Sequence, residues 1–165
     1  VGKRYNVFVY GTLLKGFDGY KKYMCKGNYI SGGSLKGVMY HTGSGYPAVI
    51  YDRKNGGEIT GELYSVDENL MKELRRYEGV GSLLTCYEEK VVKVQTKNSD
   101  MPARVFVVSP FWKRLIKLTG LFVNNGDWKS FMAAPAKKTW QSIAPVILFL
   151  VSFIFVFRLF FEITG

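Results

Sequence analysis

The chain has 165 residues, with 23 Lys and Arg against 13 Asp and Glu, a formal charge of +10, and 47% hydrophobic residues. That length admits one ordinary domain with some extra chain, and the composition excludes a mainly disordered or collagen-like polypeptide. The mean hydropathy of essentially zero conceals two unlike pieces, divided at Ser142.

In chain order, short apolar runs come first. Tyr5–Tyr10, Ser34–Tyr40, Ala48–Tyr51 and Glu58–Val66 each mix β-branched and aromatic residues between Gly, Pro, Asn, Asp or Ser clusters, and they read as strands. Asp67 follows as an N-cap for a helix in which Leu70, Leu74 and Tyr77 recur at i, i+4 and i+7, and Gly79 stops it. Two more strands, Tyr87–Thr96 and Ala103–Val108, precede a second helix over Phe111–Leu118. Many strands with few helices predict an α+β domain built on a curled or closed mixed sheet. It occupies 1–132, and 133–142 serves as a linker.

Beyond Ser142 the chain changes character. From Ile143 to Phe161 the only polar side chains are Ser152 and Arg158. As a helix these 19 residues rise roughly 28 Å, close to the ~30 Å hydrocarbon thickness of a bilayer. Apolar side chains occupy every side of the wheel, which leaves no polar face to lie on a surface. A buried core helix is the competing reading, but a domain this small rarely hides one of this length. The sequence therefore predicts a single transmembrane helix at 143–163, with Arg158 near one end able to snorkel.

All but Arg158 of the basic residues and all but Glu162 of the acidic ones lie in 1–142, so this part carries the whole net charge. Lys129, Lys137 and Lys138 precede the span, and the positive-inside rule then places the domain on the cytoplasmic side of a C-terminal anchor. The basic balance suits an anionic leaflet and equally suits plain solubility. Nucleic acid is not an expected partner: the lysines are scattered, and no RNP-like, zinc-finger or helix-turn-helix pattern occurs. Cys25 and Cys86 are isolated, and His41 is the only histidine. No zinc constellation follows from these ligands, and a disulfide between the two thiols stays open.

Three local features bear on chemistry. Val7–Tyr10 runs straight into Gly11, Thr12 and Leu13, where backbone amides after a strand can hold a carboxylate or an oxyanion; taken alone, a strand followed by glycine is an ordinary turn. Glu78 lies where the predicted helix ends, against the negative end of the macrodipole. If it is also partly buried, its pKa rises into the range useful for proton transfer; a solvated surface Glu is the plain alternative. Tyr40, Tyr46, Tyr64 and Tyr87 are either packing residues or a binding cup.

Six blocks in order carry a resemblance: Tyr5–Tyr10 with Gly11-Thr12-Leu13; Gly45-Tyr46-Pro47-Ala48-Val49-Ile50; Gly61-Glu62-Leu63-Tyr64-Ser65-Val66; Leu74-Arg75-Arg76-Tyr77-Glu78-Gly79; Tyr87; and Gly126-Asp127-Trp128. Over about residues 5–132 the chain resembles the gamma-glutamylcyclotransferase-like superfamily, and within it the gamma-glutamylamine cyclotransferase branch, which has Tyr-Gly-Thr-Leu. The resemblance implies a small mixed barrel-like fold whose cavity takes a gamma-glutamyl group and releases 5-oxoproline and an amine. It also implies that Tyr10, Gly11, Thr12 and Leu13 cradle the substrate, that Glu78 is the catalytic acid/base, and that Tyr87 lines the pocket and hydrogen-bonds the substrate. No metal or organic cofactor is implied. Glu88-Glu89-Lys90 stands where relatives commonly carry an Arg, and family members typically lack an anchor.

These readings make the chain a membrane-anchored cyclotransferase for a small gamma-glutamyl substrate, with the lipid bilayer as partner. The alternative is a catalytically idle relative kept as an accessory subunit among other membrane protein subunits. A third possibility is a related enzyme that uses the same cyclisation to unmask a biosynthetic intermediate.

Overall fold

The computed structural model describes residues 2–81 and 86–134. The expected span at 143–163, and the expected linker beyond its first two residues, lie outside the described residues. Among those described, no helix is long and apolar enough to cross a membrane.

The strands are β1 (Arg4–Val9), β2 (Asn28–His41), β3 (Pro47–Tyr51), β4 (Gly57–Asp67), β5 (Tyr87–Thr96), β6 (Asp100–Val108) and β7 (Leu121–Phe122). The helices are α1 (Asp18–Lys22), α2 (Glu68–Tyr77), α3 (Lys113–Thr119) and α4 (Trp128–Ala133), and 3-10 turns cover Met24–Lys26 and Pro110–Trp112. Hydrogen bonding runs β3-β2-β4-β1-β6-β5, and β5 returns to β2 through Gly33↔Thr96 and Ser34↔Gln95. That return closes the sheet into a small barrel. Among the described strands only the β1–β6 pair is parallel, which makes the barrel mixed.

Period-two alternation explains much of the packing. In β5, Val92 and Val94 are buried while Val91, Lys93 and Gln95 face solvent, and the second half of β2 buries Leu35, Met39 and His41 in the same rhythm. β1 instead buries Val7, Phe8 and Val9 in succession, because side chains of α2 join the same core on its other face: Leu70, Met71 and Leu74 are all buried there. Each such side chain contributes roughly 1.5–3 kcal/mol when fully withdrawn from water.

Several expectations shift in detail. β2 starts at Asn28 rather than Ser34; its first half is glycine-rich and mostly exposed, and backbone pairing to β4 across a bulge at Tyr29/Ser31 extends it without any apolar pattern. The stripe on α2 is completed by Met71 and not by Tyr77, which is 44% exposed because the last turn runs on to the mouth of a cavity. The expected helix over Phe111–Leu118 is divided into a 3-10 turn and α3. Ala133, placed in the linker, closes α4. Cys25 and Cys86 are separate free thiols.

Both caps of α2 are as expected. The Asp67 carboxylate accepts from the Leu70 N–H at 2.8 Å. At the other end, Gly79 takes φ 69°, Val80 N–H donates to Arg75 O at 2.9 Å and Gly79 N–H to Arg76 O at 3.2 Å. This is a Schellman ending, and it fixes Glu78 as the C-cap residue.

Candidate active site

One cavity of about 380 Å³ gathers the chemistry-bearing residues. Its walls come from the end of β1 with the turn Tyr10–Leu13, from Tyr46 and Pro47 at the start of β3, from Tyr77, Glu78 and Gly79 at the end of α2, from Cys86 and Tyr87 at the start of β5, and from Phe106. All six residues expected at the site, Tyr10, Gly11, Thr12, Leu13, Glu78 and Tyr87, line it. Of the aromatic set, Tyr46 and Tyr87 are at the cavity, whereas Tyr40 packs with Trp112 and Ile116, and Tyr64 lies 5.5 Å from Tyr29. The four tyrosines therefore form no single cup.

The turn is held at both ends. The Tyr10 hydroxyl donates to Phe106 O at 2.5 Å, Leu14 N–H donates to Gly11 O at 2.9 Å, and Lys15 N–H donates to a Glu62 oxygen at 3.1 Å. Gly11 is dictated by contact: a Cβ there would stand 2.5 Å from Pro47 Cγ. The Tyr87 hydroxyl in turn donates to Pro47 O at 3.1 Å. Tyr87 is thus linked to the Tyr10–Leu13 turn through Pro47, and its proton serves the cavity wall. At the rim, Thr12 Oγ1 and Tyr77 Oη are 3.3 Å apart, and the Tyr77 ring stands 4.8 Å from that of Tyr23.

Electrostatics single out Glu78. Burial pushes its pKa up to about 7. No Lys or Arg is among the described residues lining the cavity. Tyr10 is raised well above the ordinary phenol value, first by burial and then by the Glu78 charge. The Cys86 thiol is likewise pushed up, mainly by burial. At neutral pH the cavity therefore holds a carboxyl group near half-ionisation among neutral hydroxyl, thiol and aromatic groups. A group so poised can take a proton and return it within one reaction cycle. Among the described residues no cluster of three His, Cys, Asp or Glu could hold a metal ion.

The lining residues outside both the expected site and the aromatic set are Phe8, Val9, Pro47, Tyr77, Gly79, Cys86 and Phe106. Tyr77 and Cys86 adjoin Glu78 and Tyr87 in the chain, and that adjacency could have included them. The Pro47–Gly11 contact joins two turns far apart in sequence and leaves no local signal.

Comparison with known proteins adds an independent line. Residues 7–130 match the family described as gamma-glutamyl cyclotransferase, AIG2-like. The chain is 34% identical over 87 residues to the gamma-L-glutamyl-butirosin B gamma-glutamyl cyclotransferase of Niallia circulans, a match covering 50% of this chain and about half, 53%, of that relative's length. It is 27% identical over 125 residues to a putative gamma-glutamylcyclotransferase of Methanocaldococcus jannaschii, covering 76% of this chain and 96% of that protein. In fold it is similar to the crystal structure of a mouse AIG2-like protein, with a TM-score of 0.61 at 21% identity over 80% of this chain and 91% of that one.

Proposed function

The chain belongs to the gamma-glutamyl cyclotransferase, AIG2-like family, and from that premise we propose that it cyclises a gamma-glutamyl group to 5-oxoproline and releases an amine, with Glu78 as general acid/base. The observation that carries this reading is one carboxyl group, lifted to about 7 by burial, in a cavity it shares with the Gly11–Leu13 backbone.

The chemistry asks for little else. The substrate's α-amine must lose a proton and attack its own γ-carbonyl carbon; the tetrahedral adduct then collapses, the C–N bond to the leaving amine breaks, and that amine takes up a proton. Holding a floppy γ-glutamyl chain in its cyclic conformation removes the main entropic obstacle. Ionised Glu78 accepts the ammonium proton and passes it to the departing nitrogen. The amides of the Gly11–Leu13 turn hold the substrate or polarise the γ-carbonyl oxygen. Tyr87 keeps Pro47 against Gly11 and so sets the width of the cavity.

The Niallia relative is named for gamma-L-glutamyl-butirosin B, which supports an amine carried on a larger molecule as well as a small free one. We read the apolar run at 143–163 as a span that holds this domain at a membrane, as the sequence predicts.

The test is 5-oxoproline release from a panel of gamma-glutamyl amines by the wild type and by Glu78→Gln. Turnover by the wild type and its loss in the variant support the assignment. Turnover that survives the substitution removes Glu78 from the mechanism. Silence of the wild type across the panel, with membrane proteins co-purifying, favours the idle-subunit reading instead.

A further inference from the structure

The two most exposed large apolar side chains among the described residues, Phe111 at 80% and Leu118 at 75%, flank one short helix. α3 turns Trp112 and Ile116 inward, where with Tyr40 they pack against Ala48, Ile50 and Val108. The opposite side presents Phe111, Arg114 and Leu118, spaced i, i+3 and i+7. Phe122, 53% exposed on β7 just after α3, adds a further exposed ring, 6.0 Å from that of Tyr40. Lys113, Arg114 and Lys117 are interleaved with these side chains, and no acidic residue occurs anywhere from Met101 to Gly126. Lys117 has Asp52 within electrostatic reach, but that carboxylate is tied to the Lys54 and Asn55 amides at 3.1 and 3.0 Å.

We propose that the α3–β7 face docks on an anionic lipid bilayer, with Phe111, Leu118 and Phe122 entering the interface and Lys113, Arg114 and Lys117 meeting lipid phosphates and carboxylates. Exposed aromatic and aliphatic tips ringed by cations have the composition of an interfacial surface. A protein partner would have to be acidic around an apolar socket; a bilayer with anionic headgroups supplies both properties at once. The chain's own length favours the bilayer. Eight residues, 135–142, separate the described chain from the apolar run that begins at Ile143, and even fully extended they reach about 30 Å. Wherever that run enters a membrane, the C-terminal end of α4 stays within this distance of it. The face adjoins the catalytic cavity, since Ser109 N–H, at the start of the turn into α3, donates to Cys86 O at 2.8 Å. Docking would therefore hold one cavity wall close to the lipid surface.

The proposal rests on the membrane reading of 143–163 and not on the cyclotransferase reading, and the test separates the two. The full chain, with Cys25→Ser and Cys86→Ser, carries a polarity-sensitive nitrobenzoxadiazole label on Leu118→Cys and is mixed with phosphatidylcholine vesicles with or without phosphatidylserine. On the anionic vesicles the emission shifts to the blue and brightens roughly twofold as the label leaves water. High salt, or Lys113→Glu with Arg114→Glu and Lys117→Glu, reverses the change. The same label on Lys97→Cys, in the β5–β6 turn at the far end of β6, stays water-like. Water-like emission from the Leu118 position on anionic vesicles overturns the proposal, whether or not the chain inserts. An equal shift on neutral vesicles or in detergent overturns it as well, since anionic headgroups then play no part in covering the face.

Discussion

Two glutamates attached to the ends of neighbouring elements show opposite solutions to the same problem. Glu89 on β5 is withdrawn from water, with its side chain 12% exposed, yet its pKa is lowered. Burial alone would raise it, but Arg75 binds it through Nε at 2.7 Å and Nη2 at 3.2 Å, and Arg104 binds the same carboxylate. Both guanidinium groups lie over the Tyr5 ring, at 5.9 and 4.8 Å from its centroid. Glu78, one turn beyond Arg75 on the same helix, receives no cation from the described cavity lining and is lifted to about 7. Burial pushes both groups the same way, and the presence of arginine decides the outcome. The comparison separates a carboxylate held by two arginines from one whose pKa is raised by burial. It also accounts for the Glu88-Glu89-Lys90 departure: the charge placed on β5 is matched by arginines from α2 and β6.

The sharpest way to break the contrast is to remove the carboxyl group whose pKa is raised. Glu78→Gln should lower kcat for 5-oxoproline release by on the order of 10³-fold with little change in KM, since the proton relay is lost while the cavity shape is kept. In the wild type, kcat/KM should rise with pH through about 7, as the carboxyl ionises to its proton-accepting form. A profile with an acid limb near 4.5 would mean that Glu78 is not the titrating base. Glu89→Ala tests the other member. It leaves two partly buried arginines without their carboxylate, and the expected loss is about 2–3 kcal/mol of folding stability, reduced from the fully buried case because each arginine is about one-third exposed. Denaturant titration of both variants would show whether the two glutamates divide activity and stability in this way.

How much of this was legible in the sequence depends on how local each feature is. Runs of β-branched and aromatic residues between turn clusters, such as Tyr87–Thr96, were readable as strands with their boundaries. So was α2, because Asp67 and Gly79 are caps whose chemistry is local. α1 and α4, of five and six residues, are too short for a periodicity to emerge, and the first half of β2 has no alternation because pairing rather than burial makes it a strand. Barrel closure through Gly33↔Thr96 depends on partners more than sixty residues apart. The site was legible where a motif is contiguous, as in Tyr10–Leu13 and Glu78. The Pro47 wall and the Arg75–Glu89–Arg104 network were not, since nothing in a local window specifies their pairing.

The two glutamates should also have opposite effects on stability as pH changes. A carboxyl whose folded pKa is raised stabilises the fold fully below its unfolded value near 4.5, and this contribution is lost as pH rises through about 7. For Glu78 that loss amounts to about 3 kcal/mol, at 1.36 kcal/mol per unit. Glu78→Gln should therefore be more stable than the wild type at pH 8 by about 2–3 kcal/mol and no more stable at pH 4. The Glu89 contribution has the reverse sign. It is present above the ordinary carboxylate pKa and is lost as pH falls through its lowered folded value. Thermal melts of wild type and both variants across this range should diverge in opposite directions. A Glu78→Gln advantage that does not depend on pH would contradict the desolvation account.

The smallest expected effect concerns the backbone that presents Glu78. Gly79 occupies φ 69° in the ending that makes Glu78 the C-cap residue, and Gly79→Ala adds a Cβ in a left-handed conformation at a cost of about 1 kcal/mol. Gly16, at φ 105° with open space around its Cβ position, imposes a comparable strain in the Leu14–Phe17 turn, which contributes no residue to the cavity lining. Gly16→Ala should thus lower stability by a similar amount while leaving the pH profile of turnover where it is. If Gly79→Ala relaxes by unwinding the last turn of α2, the carboxyl moves toward water, and its pKa falls back toward 4.5. The acid limb of kcat/KM should then move below 7 in that variant only. Equal profiles in the two glycine variants would mean that the left-handed residue stabilises the helix end without positioning the carboxyl group, and the contrast between Glu78 and Glu89 would then rest on burial and charge alone.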